Sequence, residues 1–161
     1  MDPIAEVRED HKKVRDTLLD IMDLIRQRDV TKSLEQLLVL DKLGGPHFQM
    51  EEEVMYPIMK RFYGDDYYER LLEEHDRVIK AAKQIGETFG KGSITEEEVT
   101  KLIKLIQNEI LPHPITCSGL EILMERLSPE ELNEIAKSIT VTRETDTPLL
   151  EWATTTRSRE T

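Results

Sequence analysis

The chain has 161 residues, with 22 Lys and Arg against 33 Asp and Glu and a net charge of -11. One compact domain accommodates this length, and the charge opposes the attraction to phosphates on which nucleic-acid binding depends. With 38% hydrophobic and 34% charged residues but only 7 Gly and 7 Pro, the composition excludes a disordered chain and disfavours an all-β fold, which leaves helices.

Asp2 and Pro3 open a helix over about residues 3 to 28, with Ile4, Val7, Val14, Leu18, Ile21 and Ile25 at three-four spacing. A second helix carries Leu34, Leu37, Leu38 and Leu40, breaks at Gly44-Gly45-Pro46, and resumes through Val54, Ile58 and Phe62. Gly64-Asp65-Asp66 turns the chain into a third, marked by Leu71, Val78, Ala82, Ile85 and Phe89 and ended near Gly90-Lys91-Gly92. Thr95 with Glu98 reads as a capping box for a fourth, whose stripe runs Val99, Ile103, Ile106, Ile110, Leu120, Met124 and Leu127 and is disturbed at Pro112 and Pro114. Ser128-Pro129-Glu130-Glu131 is a further capping box, for a short fifth helix over residues 129 to 139.

The expected fold is all-α, an antiparallel up-down four-helix bundle over residues 1–140 with a short fifth helix at its end. Residues 141–161 form a tail in which Leu149, Leu150 and Trp152 can dock while Ala153 to Thr161 frays. A weak repeat pairs Asp10-His11 with Glu74-His75 and Pro46-His47 with Pro112-His113, as two related helical hairpins would. No secretory signal and no membrane span is expected, and a lone Cys agrees with a reducing cytoplasm.

All 4 His fall in apolar seams. His11 and His75 interrupt the stripes of the first and third helices, and His47 shares a face with Glu51 one turn later. His113 leads to Cys117 and Leu120 if the fourth helix survives its prolines. Their axial levels agree to within about one helical turn, so one imidazole per helix meets in one layer. Left unpartnered, each would cost about 1 to 3 kcal/mol against a total stability of about 5 to 15 kcal/mol. A metal satisfies them, and imidazole with carboxylate suits iron first, with manganese or zinc as alternatives. There is no Glu-x-x-His pair of the ferritin-like kind and no His-Glu-x-x-His of a zincin protease; the motif present is His-x-x-x-Glu.

From His11, the segment His47-Phe48-Gln49-Met50-Glu51-Glu52-Glu53-Val54-Met55-Tyr56-Pro57, then Glu74-His75 and His113, the chain resembles the hemerythrin-like (HHE cation-binding) domain family over roughly residues 5 to 139. The resemblance implies a four-helix bundle around a non-haem di-iron site that binds oxygen or a related small molecule. It makes His11, His47, His75 and His113 terminal ligands and Glu51 a bridging carboxylate. Where the family keeps a second carboxylate after the fourth-helix His, this chain has Cys117 and Ser118, and Ile79 stands where hemerythrin has another His. Cys117 is either a small packing residue or a thiolate ligand or redox thiol in place of that carboxylate.

Glu52 and Glu53 read as solvated charges, either of which reaches the metal if the bent helix rotates, Glu121 as too far from His113 to share its metal, and Met50, Met55, Met59 and Tyr56 as packing, with Tyr56 a candidate for a supporting hydrogen bond. The expected function is a cytoplasmic iron protein, with one metal or two, that binds or senses oxygen, nitric oxide or a related diatomic, or handles iron; a homo-oligomer is compatible with it. The competing readings are a redox enzyme, reducing peroxide or donating iron for cluster repair, and a helical interaction module with a structural metal. No nucleic-acid or membrane partner is expected.

Overall fold

The computed structural model describes residues 1–159, and they form helices throughout. α1 spans Pro3–Arg26 and α2 Val30–Met50, the latter followed by a π-helical turn, Glu51–Met55. α3 spans Tyr56–Phe89 and α4 Glu96–Leu105, and a second π-helical turn, Ile106–Ile110, leads to α5, Pro112–Met124. α6, Pro129–Thr145, and α7, Leu149–Thr155, complete the chain.

Local chemistry sets the helix ends. The Asp2 carboxylate accepts from the Ile4 N–H at 3.0 Å, with Pro3 pre-set for the first turn. Both expected capping boxes are formed: Glu98 N–H to Thr95 Oγ1 and Thr95 N–H to Glu98 Oε1, each 3.1 Å, and Glu131 N–H to Ser128 Oγ at 3.2 Å with Ser128 N–H to Glu131 Oε2 at 2.8 Å. α3 is two arms joined at Gly64, whose φ of 79° lies in the left-handed region that glycine adopts without a Cβ clash. An unbroken helix would carry His75 about 36 Å from Glu51. The two side chains instead approach to 2.9 Å, so the chain doubles back at Gly64.

Several expectations need correction. α2 runs unbroken through Gly44-Gly45-Pro46. Those glycines serve packing instead, since a Cβ on Gly45 would lie 1.9 Å from the Thr147 carbonyl oxygen, where the chain between α6 and α7 crosses α2. The interruption comes later, at the π turn, where the Tyr56 N–H bonds to the Glu51 carbonyl immediately before Pro57. Proline lacks the N–H that continues the helical ladder and crowds the preceding turn, and one extra residue relieves both. That residue rotates the apolar stripe from Val54, Ile58 and Phe62 to Met55, Tyr56 and Met59, which are fully buried while Phe62 is exposed. The fourth helix repeats the device, with Leu111 N–H bonded to the Ile106 carbonyl just before Pro112, and it continues through both prolines. Finally, α6 extends beyond residue 139 to Thr145, and Leu38 faces solvent.

The arms pack as a four-helix bundle, α1 against α2 and α5, with α6 and α7 laid over α2. The apolar core is in two parts. One gathers Leu18, Ile21, Ile25, Ile85 and Phe89 with Trp152; the other gathers Val7, Met55, Met59, Leu71, Met124 and Ile135. Between them lies a buried polar layer containing all four histidines and Glu51.

Candidate metal centre

Glu51 is the first residue of the π turn and has no exposed surface. α1 contributes His11, α2 His47, the second arm of α3 His75 and α5 His113, all at most 3% exposed. Their rings lie 4.7 Å apart for His75 and His113 and 4.8 Å for His11 and His47. Each imidazole turns Nε2 towards Glu51, and the four divide evenly between its oxygens. His47 and His11 approach Oε1 at 3.0 and 3.5 Å, while His75 and His113 approach Oε2 at 2.9 and 3.4 Å. The five residues singled out as histidine and carboxylate candidates are thus brought to one point.

Each ring also turns Nδ1 towards a second carboxylate. His11 meets Glu121 at 3.1 Å and His47 meets Asp10 at 3.2 Å, both within hydrogen-bond distance. His75 faces Glu52 and His113 faces Glu74, each at 3.4 Å, close but not aligned as hydrogen bonds. A carboxylate on one imidazole nitrogen holds the proton there and leaves the other nitrogen's lone pair free, as metal-binding histidines require. The Phe48 ring stacks on His75 at 3.8 Å with planes 8° apart, which fixes that ring's tilt.

Cys117, from α5, is fully buried on the Oε2 side. One ligating atom each of His11, Glu51, His113 and Cys117 lies within 4.8 Å of the others. Tyr56 joins them: its hydroxyl donates to Glu51 Oε2 at 3.0 Å and lies 3.2 Å from His75 Nε2 and 2.9 Å from Cys117 Sγ.

The electrostatics follow from one carboxylate among several imidazoles. Burial opposes charge on Glu51, but His47 and His113 outweigh it and hold its carboxyl well below the ordinary range. Burial likewise opposes a charged His47, yet Glu51 and Asp10 lift its pKa to about 10. His113 is raised through Glu51 against the same penalty of burial. Cys117 and Tyr56 are pushed up strongly, first by burial and then by neighbouring negative charge, so both are neutral in the metal-free protein.

Nε2 of His11, His47 and His113 and Oε1 of Glu51 are buried without a hydrogen-bond partner. His47 Nε2 and Glu51 Oε1 are close but not aligned as donor and acceptor. Such orphaned groups are costly, and here they converge. The donor set is imidazole and carboxylate with one thiol at its edge, which fits a non-haem iron centre.

The outer carboxylates escaped sequence reading. Glu52 is not a solvated charge, since it faces His75, and Glu121 meets His11 from the outside. A signal for two of them was the acid directly before the histidine in Asp10-His11 and Glu74-His75. Each acid serves the histidine of another helix, because adjacent residues on a helix do not share a face. Among the described residues no helix is long and apolar enough to cross a membrane.

The family model described as "Hemerythrin HHE cation binding domain" matches residues 2–113, which takes in all four histidines and Glu51 but stops short of Cys117. No curated protein and no solved structure gives a significant match.

Proposed function

Because the chain belongs to the hemerythrin HHE cation-binding family, we propose that it holds two non-haem irons at Glu51 and uses them to bind or sense oxygen, nitric oxide or a related small ligand. The observation that carries this reading is the even division of four imidazoles between the two oxygens of one buried carboxylate. His11 and His47 would hold one iron with Oε1; His75 and His113 would hold the other with Oε2, with Cys117 at the edge of the second. Iron in such a ligand set supplies open positions at which a diatomic can coordinate.

The chain's own residues do the rest. Asp10 and Glu121 fix the orientations of His47 and His11 from outside, and Glu52 and Glu74 face His75 and His113 at 3.4 Å. Tyr56 keeps a hydroxyl proton at Glu51 Oε2, on the same side as Cys117. The apolar clusters on either side of the polar layer exclude bulk water. A cavity of about 40 Å³, lined by Val14, Leu40, Phe48, Val78 and Ile110 and reaching His113, has room for one small uncharged molecule. A neutral, buried Cys117 favours ligand binding over peroxide chemistry at a free thiolate, and a reducing cytoplasm suits that thiol.

The test is anaerobic loading with ferrous iron, removal of excess metal, and absorption spectra on adding and withdrawing oxygen or nitric oxide. A reversible spectral change in the loaded protein, absent from Glu51→Gln, is expected. An iron-loaded protein that responds to neither gas contradicts the assignment.

A further inference from the structure

The outer carboxylates are held in different ways. Arg143 of α6 holds Asp10 at 3.1 Å and Arg8 of α1 holds Glu121 at 2.8 Å, and both arginines are well exposed, with side chains 38% and 50% accessible. Glu52 is held instead by Arg157, beyond the end of α7, whose side chain is only 1% exposed. Its Nε lies 2.9 Å and its Nη2 2.6 Å from the Glu52 carboxylate, while Nη1 reaches Asp76 at 2.8 Å. Arg159 pairs with Asp76 at 2.7 Å and with Glu69 at 2.8 Å, so the two arginines are matched by three acids, Glu52, Asp76 and Glu69. The expectation that this part of the tail frays therefore fails for its described residues, and 160 and 161 lie outside them.

The route of the segment is as specific as its end. It crosses α2 at Gly45, where no side chain fits beneath it, buries Leu149 and Trp152, and places the Arg157 guanidinium 5.8 Å from the Trp152 ring centre. It then closes on the residue that follows Glu51. A buried guanidinium is tolerated only with its charge matched, and its planar fork fixes a carboxylate's orientation as well as its position.

We propose that residues 146–159 are a strap that orients His75, with Arg157 as a positioning residue acting through Glu52. Arg157 keeps the Glu52 carboxylate 3.4 Å from His75 Nδ1, an electrostatic contact rather than an aligned hydrogen bond, and Glu52 with the stacked Phe48 ring keeps His75 Nε2 on Glu51 Oε2. Without Arg157, Glu52 turns out to water and His75 loses its outer partner. The consequence for bound iron rests on the function proposed above; the orientation of His75 does not.

The test uses the full chain and its Arg157→Gln, Arg157→Lys and Arg159→Gln variants. Nitrogen NMR of the histidine rings is read in the metal-free protein, and Trp152, the single Trp, reports tail docking by fluorescence. Arg157→Gln is expected to shift both His75 ring nitrogens and leave those of His11 and His47 in place; Arg157→Lys restores them in part, and Arg159→Gln changes neither. In iron-loaded protein, release to a chelator is expected to quicken about 10- to 100-fold in Arg157→Gln and less than about twofold in Arg159→Gln. Unchanged His75 nitrogens in Arg157→Gln overturn the proposal, whether or not Trp152 shows the tail released. Should that variant not fold, Glu52→Gln takes its place with the same two readings. A chain that takes up no iron defeats the functional reading alone, because the ring nitrogens still decide the strap.

Discussion

Tyr56 and Cys117 meet at 2.9 Å between hydroxyl and sulfur, and they do so on the Oε2 side of Glu51, away from His47 at Oε1. The two ends of the carboxylate therefore differ. Oε1 faces two imidazoles and no aligned donor, whereas Oε2 accepts from Tyr56 beside a thiol. The centre pairs its histidines evenly but surrounds them unevenly.

If Cys117 ligates, metal must displace its proton, because burial keeps the thiol neutral otherwise. Cobalt(II)-loaded protein is then expected to show a near-ultraviolet thiolate-to-metal absorption that disappears in Cys117→Ser. The same spectrum in both proteins would make Cys117 a packing residue.

The metal-free protein is expected to lose stability as pH rises. His47 has a pKa of about 10 in the fold against an ordinary 6.5, so its contribution is complete below pH 6.5 and is lost as pH climbs to about 10. The slope is up to about 1.4 kcal/mol per pH unit. Glu51, shifted the other way, contributes above its ordinary 4.5 and loses its contribution as acid protonates it. Urea unfolding from pH 5 to 10 checks this, with His47→Gln expected to reduce the alkaline slope and leave the part that the raised His113 contributes.

Glu51→Ala leaves the buried His47 charge without its nearest partner at neutral pH. Breaking one side of such a pair costs about 3 to 5 kcal/mol. Chemical denaturation of the metal-free protein measures the loss, and His47→Gln in the same chain should recover part of it.

Gly45→Ala forces a methyl group to within 1.9 Å of the Thr147 carbonyl oxygen, and backbone there cannot yield as a flexible side chain would. A loss of at least about 1 to 3 kcal/mol is expected, together with increased exposure of Trp152 by fluorescence. Gly86→Ala is the contrast. Its Cβ would meet only Leu37 at 3.8 Å, and that substitution should stabilise by about 0.4 to 1 kcal/mol.

Much of the centre was legible because ligand and core periodicity coincide. His11, His47, His75, His113 and Glu51 lie on the stripes that build the bundle, so placing the helices places the ligands. Helix caps were legible for a similar reason, each being a local pattern of a few residues.

The π turns were not legible. Tyr56-Pro57 and Leu111-Pro112 announce a disturbance, but its resolution as one inserted residue depends on Glu51 facing inward while Met55 and Tyr56 stay buried. That choice is made by packing. The outer shell was hidden for a different reason, since Asp10 reaches across to His47 and Arg157 to Glu52, pairings between elements far apart in the chain. The two halves also diverge here: Asp10 and Glu74 serve His47 and His113 in parallel, but Glu121 and Glu52, which serve His11 and His75, come from unrelated positions.

The central claim is that one carboxylate divides four imidazoles between two irons, and the most direct measurement is the metal count per chain. Anaerobic ferrous loading, gel filtration and iron analysis should give two irons per chain for the native sequence and none for Glu51→Gln. One tightly held iron that survives Glu51→Gln, or no iron at all, would contradict it.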